Sequence, residues 1–213
     1  MAITQILIAD SSSLAVFGIE ALLKERADTI IEKAENGDAL LATARTDPPN
    51  IILLGDHFDP LFDTLALAEK LIQITPSSRI VVMSTLSDGL FIRDLFAIGV
   101  TGYLMVGDDL TTCLSTALDM ALRQRLYLSP TANAEYLIAM QSRNRDWKLD
   151  SESRTVLRLL ARGCTAGEIA SQLKLKRRRV YWVTEKMRAR FGAATNEHLI
   201  TRAAAEGFAG FPD

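Results

Sequence analysis

The stretch T-A-G-E-I-A-S-Q-L-K-L-K-R-R-R-V-Y-W-V-T-E-K-M-R-A-R-F, residues 165–191, predicts two short helices of which the second is basic. Thr165 and Glu168 have the spacing of a capping box, in which each side chain satisfies a backbone N–H of the other residue. Leu175 and Lys176 form a tight connection between the two helices. Two helices joined by so short a connection are the geometry that places a second helix in the major groove of DNA.

The charges of the chain are distributed unevenly. Residues 1–144 carry 10 Lys+Arg and 18 Asp+Glu, a net charge of −8, whereas residues 145–213 carry 14 and 8, a net charge of +6. Such asymmetry indicates an anion-binding module attached to a different domain. A charge run is often only a solvated helix face, but the run at 176–179 opens the second helix of the pair. That position favours contact with DNA phosphates.

Composition narrows the class of protein. The 213 residues allow one or two domains, and 48% of them are hydrophobic. No apolar run approaches the ~18 residues of a membrane span, and the N-terminus lacks the basic start of a signal peptide. We therefore expect a cytoplasmic protein with no membrane contact. Cys113, Cys164, His57 and His198 have no metal-ligand spacing, so we expect reduced thiols, no metal and no cofactor.

The first half of the chain alternates strand and helix patterns. The predicted strands cover residues 6–9, 29–31, 51–54, 80–83 and 102–105, and the predicted helices cover 14–23, 39–44, 61–74, 90–98 and 110–122. Five such units predict an α/β domain with a doubly wound, five-stranded parallel sheet. Ligands of such sheets bind at the carboxyl ends of the strands, here Asp10-Ser11, Gly55-Asp56, Ser84-Thr85 and Val106-Gly107.

The two patterns together resemble a known family. The strand–helix order and G-Y-L at 102–104 resemble a flavodoxin-like receiver domain. Residues 147–203 resemble a LuxR-type helix-turn-helix in L-x-x-x-A-R-G-x-T-x-x-E-I-A-x-x-L-x-L, followed by Val180, Met187 and Phe191. The chain thus resembles the NarL/FixJ class of two-component transcription regulators. This implies a receiver-like domain (1–128), a linker with a short helix from about 133 to 141 (129–148) and an all-α four-helix DNA-binding domain (149–213).

The resemblance fails in the receiver pocket. A receiver needs an acid pair for Mg²⁺ after the first strand, a phosphoacceptor carboxylate ending the third, a hydroxyl after the fourth and a lysine after the fifth. These positions carry, in order, Asp10 with Ser11, Gly55, Ser84 and Val106; Tyr103 matches the switch aromatic. Three of the five groups are missing.

Asp56 follows the empty phosphoacceptor position. Because neighbouring strand residues face opposite sides of a sheet, we expect its side chain not to occupy the phosphoacceptor's place unless a bulge re-aims it. Asp10 also fits a helix cap, and Ser84 and Tyr103 fit packing roles. The hypothesis is a receiver-like domain that works without aspartyl phosphate, either as a constitutive dimerisation platform or as a sensor of a small molecule or protein partner.

The second helix of the pair has two distinct faces. Val180, Thr184, Met187 and Phe191 fall together at helical spacing and predict the core face. The residues predicted to contact DNA are Lys176, Arg177, Arg178, Arg179, Tyr181, Trp182, Glu185 and Lys186. The four cations near the helix start, Lys176, Arg177, Arg178 and Arg179, are expected on phosphates. The resemblance places Tyr181, Trp182 and Glu185 at base-reading positions, where Glu accepts from cytosine N4 and aromatics touch thymine methyls. Trp182 also fits a domain interface.

Some features depart from the LuxR-type pattern or complete it. The usual hydroxyl cap of the second helix is Lys176, and Arg179 and Val183 replace the threonine and histidine that flank the core valine. Asp150 or Ser151 is expected to start the domain's first helix. A last helix from Thr195 to about Glu206 implies, by the resemblance, a homodimer on an inverted repeat of double-stranded DNA.

Two other classes of protein remain open. A flavodoxin-like, cofactor-binding enzyme would need a phosphate-binding loop after the first strand, but D-S-S-S-L contains no G-x-G-x-x-G. We therefore expect no enzyme activity. A protein-interaction adaptor with a helix-turn-helix that no longer binds DNA would not need the positive charge of the C-terminal third.

Overall fold

The computed structural model describes residues 3–24, 26, 28–56, 58–59, 64–86, 88–141, 149, 151–206 and 208. They fall into two compact units, Met1–Thr85 with Asp94–Ala132 and Leu86–Arg93 with Asn133–Asp213. Within the described ranges, no helix is both long and apolar enough to cross a membrane.

The first unit is built on a parallel sheet. Its strands are β1 (Thr4–Ala9), β2 (Thr29–Lys33), β3 (Ile51–Gly55), β4 (Arg79–Ser84), β5 (Gly102–Met105) and β6 (Tyr127–Leu128). They pair in the order β2-β1-β3-β4-β5-β6, all parallel. The predicted doubly wound α/β class is confirmed. The predicted number of five strands is corrected to six, because β6 has only two residues and is too short to show an alternating pattern.

Helices follow the strands. They are α1 (Ser13–Leu23), α2 (Gly37–Thr46), α3 (Thr64–Ile74), α4 (Gly89–Ile98), α5 (Leu110–Leu122) and α6 (Pro130–Gln141). Local caps start several of them: Ser12, Asn36 and Asp109 each accept a backbone N–H of the first turn. Residues 61–63 of the predicted third helix lie outside the described residues. Helix α6 begins three residues earlier than expected, with Pro130 at its first position, where a missing N–H costs no hydrogen bond.

The core of the first unit lies on the sheet. All five residues of β3 are buried, as a strand covered on both faces requires. On one face Ile8, Leu53 and Leu104 share a cluster with Ile19 of α1 and Leu114 of α5. This core fixes the carboxyl ends of β1, β3, β4 and β5 side by side.

The second unit is helical. Its C-terminal part consists of α7 (Ser151–Ala161), α8 (Ala166–Gln172), α9 (Arg177–Phe191) and α10 (Asn196–Ala205). Val156, Leu157, Leu159 and Leu160 of α7 are buried. Phe191, at the end of α9, meets Phe208 edge to face, with ring centroids 5.4 Å apart. Helix α7 starts at Ser151, and the alternative start Asp150 lies outside the described residues, as do 142–148 of the predicted linker.

Candidate DNA-binding surface and receiver pocket

The capping box predicted from the sequence starts α8. The Thr165 N–H donates to Glu168 Oε2 at 2.7 Å, and the Glu168 N–H donates to Thr165 Oγ1 at 3.3 Å. The hydrogen bond from the Thr165 backbone lowers the pKa of Glu168, because it favours the ionised carboxylate. The chain then turns through Lys174 at a φ of +52°, and the Leu175 N–H closes the turn on the Ala170 carbonyl at 2.8 Å. This turn sets the direction of α9.

Helix α9 has the two faces that its sequence predicts. Val180, Thr184, Met187 and Phe191 are buried in the core of the second unit, and Val183 is buried beside them. The eight residues predicted to contact DNA are all exposed: Lys176, Arg177, Arg178, Arg179, Tyr181, Trp182, Glu185 and Lys186. Lys176 is the N-cap and makes no side-chain capping hydrogen bond.

Cations surround the exposed indole of Trp182, which is 52% exposed. The guanidinium carbon of Arg179 lies 4.5 Å from its ring centroid, and Lys186 Nζ lies 5.3 Å from it. Trp182 is therefore presented on the surface together with two positive charges.

Two partners of these side chains were not expected from the sequence. Glu152 of α7 accepts hydrogen bonds from Arg179, at 2.6 Å and 3.3 Å. Arg188 Nη2 donates to both carboxylate oxygens of Glu185, at 2.8 Å and 2.7 Å. The second pair follows the i,i+3 rule for helices and was detectable in the sequence. The first joins residues 27 apart and depends on how α7 packs on α9.

The Asp10 carboxylate occupies the space beside Gly55, where the side chain of a phosphoacceptor would begin. Gly55 is the last residue of β3, and a Cβ built on it would overlap the carboxylate of Asp10 and come within 2.9 Å of Asp10 Cγ. Asp10 follows β1 and accepts the Ser12 N–H at 2.7 Å, while Ser12 caps α1. Asp10 thus supports the start of α1, the role of a capping acid.

Asp56 lies beside Ser84, another of the pocket positions. The Ser84 hydroxyl donates to Asp56 Oδ2 at 2.7 Å. The Asp56 carboxylate is also near enough to Asp10 for the two acids to repel each other. Asp56 can lie there because β3 ends at Gly55, so strand alternation no longer governs the next residue. Burial of the carboxyl group raises the pKa of Asp10, the Ser12 hydrogen bond opposes this rise, and Asp56 adds to it.

The remaining pocket positions are Ser11, Tyr103 and Val106, and none of them supplies a positive charge for a phosphoryl group. Ser11 is exposed, Tyr103 is fully buried in β5, and Val106 follows β5 with 42% of its surface exposed. A valine supplies neither charge nor hydrogen bond to a phosphoryl oxygen. No group of three or more potential metal ligands occurs among the residues that the structure describes.

Comparisons with known proteins agree with this architecture. No protein-family model matches the chain. The chain is 23% identical to the virulence-factor transcription regulator BvgA of Bordetella pertussis over 199 residues, covering 92% of this chain and 94% of BvgA. It is 25% identical to the transcriptional regulatory protein YdfI of Bacillus subtilis over 208 residues, covering 95% and 96%.

A solved structure extends the likeness to three dimensions. RcsB of Salmonella enterica serovar Typhimurium, bound to a promoter, superimposes with a TM-score of 0.72 at 18% identity, covering 95% of this chain and 98% of RcsB. RcsB is a two-component response regulator. The resemblance drawn from the sequence is confirmed at the level of fold: the chain has the receiver-like α/β fold and the C-terminal helical domain of these regulators.

Proposed function

We propose that this chain binds double-stranded DNA through α9 and regulates transcription as a homodimer on an inverted repeat. The observation that carries the proposal is the exposed face of α9, where cations and two aromatic side chains stand opposite a fully buried core face. A helix held in this way can lay base-contacting and phosphate-contacting side chains into a major groove. The three-part division into 1–128, 129–148 and 149–213 belongs to the same proposal.

The relatives support the proposal. BvgA and YdfI are transcription regulators, and RcsB has been solved as dimers on DNA. Their similarity extends over most of the chain, and so includes both the α/β part and the helical part. The net charge of +6 in residues 145–213 provides the electrostatic attraction that DNA binding requires.

Genomic-DNA pull-down followed by sequencing tests DNA binding directly. The purified chain, never exposed to a phosphodonor, is compared with an Arg178→Ala/Trp182→Ala variant. An inverted-repeat motif enriched by the wild type and lost in the variant is the expected result. Equal enrichment by both proteins would show that the exposed face of α9 does not read DNA, and absence of enrichment by the wild type would favour an adaptor.

We further propose that the pocket works without aspartyl phosphate. Gly55 offers no acceptor, Val106 offers no charge, and the Asp10 carboxylate lies where an acceptor side chain would begin. The receiver-like domain would then serve dimerisation, or sense a small molecule or a protein partner.

Asp56 is the carboxylate that could accept a phosphoryl group in place of Gly55, because it lies in the pocket beside Ser84. The protein is incubated with acetyl phosphate and Mg²⁺, and its intact mass is measured alongside an Asp56→Ala variant. We expect no adduct. A stable gain of about 80 Da in the wild type, absent from the variant, would show that Asp56 has taken over the acceptor role.

A further inference from the structure

Arg179 differs from the other cations at the start of α9. Its Nε donates to Glu152 Oε1 at 2.6 Å, and its Nη2 donates to Glu152 Oε2 at 3.3 Å. The pair joins the first turn of α7 to the first turn of α9. A guanidinium matched in this two-pronged way to a carboxylate has its charge balanced locally and its donors directed away from a phosphate.

The face of the same guanidinium covers Trp182, at 4.5 Å from the ring centroid. The edge of the Arg179 guanidinium thus binds the Glu152 carboxylate, and its flat face packs on the Trp182 indole. Arginine is suited to both contacts at once, because it is planar and carries its donors in a rigid fork. Lysine has neither property.

These contacts form a chain from Glu152 through Arg179 to Trp182. Glu152 belongs to α7, which packs on α9 through the buried core. Trp182 stands exposed on the predicted base-reading face of α9. An exposed indole on a helix surface would otherwise sample several rotamers. With Arg179 held by Glu152, the ring is oriented before DNA arrives, which reduces the ordering that binding requires.

We propose that Arg179 is a positioning residue, which holds Trp182 in the orientation that discriminates between DNA sequences, and that it does not neutralise a phosphate. This inference rests on the proposed DNA-binding function. It changes the interpretation of the basic run: Lys176, Arg177 and Arg178 remain phosphate contacts, whereas Arg179 determines specificity through its neighbour.

Salt dependence separates the two roles. Loss of one phosphate contact lowers the slope of log Kobs against log salt by about 0.9 per protomer. Binding is measured on the duplex most enriched in the genomic pull-down and on a scrambled duplex of equal composition. Arg178→Ala is the matched control, and we expect it to lower the slope by that amount while discrimination between the duplexes is retained.

Arg179→Ala is expected to leave the slope unchanged and to reduce discrimination about tenfold, within the range of one lost base contact. Arg179→Lys should not restore discrimination. Glu152→Gln should also reduce it, and should raise the slope by releasing a cation. Arg179→Ala behaving like Arg178→Ala would overturn the assignment while leaving DNA binding intact. A wild type that binds neither duplex would overturn the proposed function itself.

A measurement without DNA supports the same test. In a Trp147→Phe background Trp182 is the only tryptophan, so its fluorescence reports this contact alone. We expect Arg179→Ala and Glu152→Gln to increase the quenching constant for acrylamide, and Arg178→Ala to leave it unchanged. Equal quenching in all the proteins would show that Arg179 does not hold the ring, and would overturn the assignment.

Discussion

A buried ion pair in the second unit provides the sharpest test of the structure. Asp88 precedes α4 and accepts the Phe91 N–H through Oδ1 at 2.8 Å, while its Oδ2 accepts from Arg154 Nη1 at 3.0 Å. The two side chains are only 5% and 6% exposed, and the Arg154 guanidinium lies 5.3 Å from the Phe91 ring centroid. The pair therefore connects α4 with α7 away from water.

Asp88→Asn keeps the shape and the acceptor for Phe91, but leaves the Arg154 charge buried without its carboxylate. Removal of one partner of a buried pair costs about 3–5 kcal/mol. With a urea m-value of about 2 kcal/mol/M, the midpoint should fall by roughly 1.5–2.5 M. Both tryptophans in the sequence, Trp147 and Trp182, belong to residues 133–213, so tryptophan fluorescence at fixed protein concentration follows this unit.

Glu185→Gln is the control, because the Glu185–Arg188 pair in the same unit is largely exposed. Its loss should cost no more than about 0.5 kcal/mol. Asp88→Asn/Arg154→Met should recover most of the stability lost in the single variant, since an apolar side chain then replaces the buried cation. A midpoint for Asp88→Asn within error of the control would refute the reasoning, because the Asp88 carboxylate would then contribute nothing measurable to holding the Arg154 charge.

Three further results are expected. Gly55→Asp should not restore acetyl-phosphate labelling by intact mass and should lower the melting temperature, because its Cβ would overlap the Asp10 carboxylate. Lys176→Ser should raise the urea midpoint by the equivalent of about 1 kcal/mol, since it caps α9, and should lower the DNA salt slope by about 0.9 per protomer. Asp10→Asn should raise the melting temperature at pH 7, followed by far-UV circular dichroism. Burial raises the pKa of Asp10 above its ordinary value of 3.8, so the ionised carboxylate lowers the free energy of unfolding at higher pH. The extra stability of the Asp10→Asn variant should therefore vanish below pH 3.8, where the wild-type carboxyl group is protonated in both states.

The fold was largely predictable because its signals are local. Continuous apolar runs such as 51–54 indicate strands buried on both faces, and the capping box at Thr165 and Glu168 determines where α8 begins. The short strand β6 was not predictable. Its pairing depends on Ser129 and Tyr127, whose N–H groups bind the carbonyls of Tyr103 and Thr101. Such contacts between distant residues leave no periodic pattern in the sequence.

The two faces of α9 were predictable for the same reason, since helical spacing separates Val180 and Met187 from Trp182. The partner of Arg179 was not, because Glu152 reaches it only after α7 and α9 have packed together. Helical spacing therefore identifies which side chains are exposed on α9. It does not identify which of the exposed cations is already bound by a carboxylate.

The pocket shows how a rule of local structure fails at the end of its element. Alternation along β3 would turn Asp56 away, but the strand ends one residue earlier and the carboxylate bonds to Ser84. The polar groups that remain in the pocket are thereby used within the fold: Asp10 supports the start of α1, and Ser84 binds Asp56. A pocket whose donors and acceptors bind one another has less to offer a phosphoryl group. An input signal to this domain would then have to be something other than a phosphoryl group on Asp56, which is the expectation that the phosphodonor experiment tests.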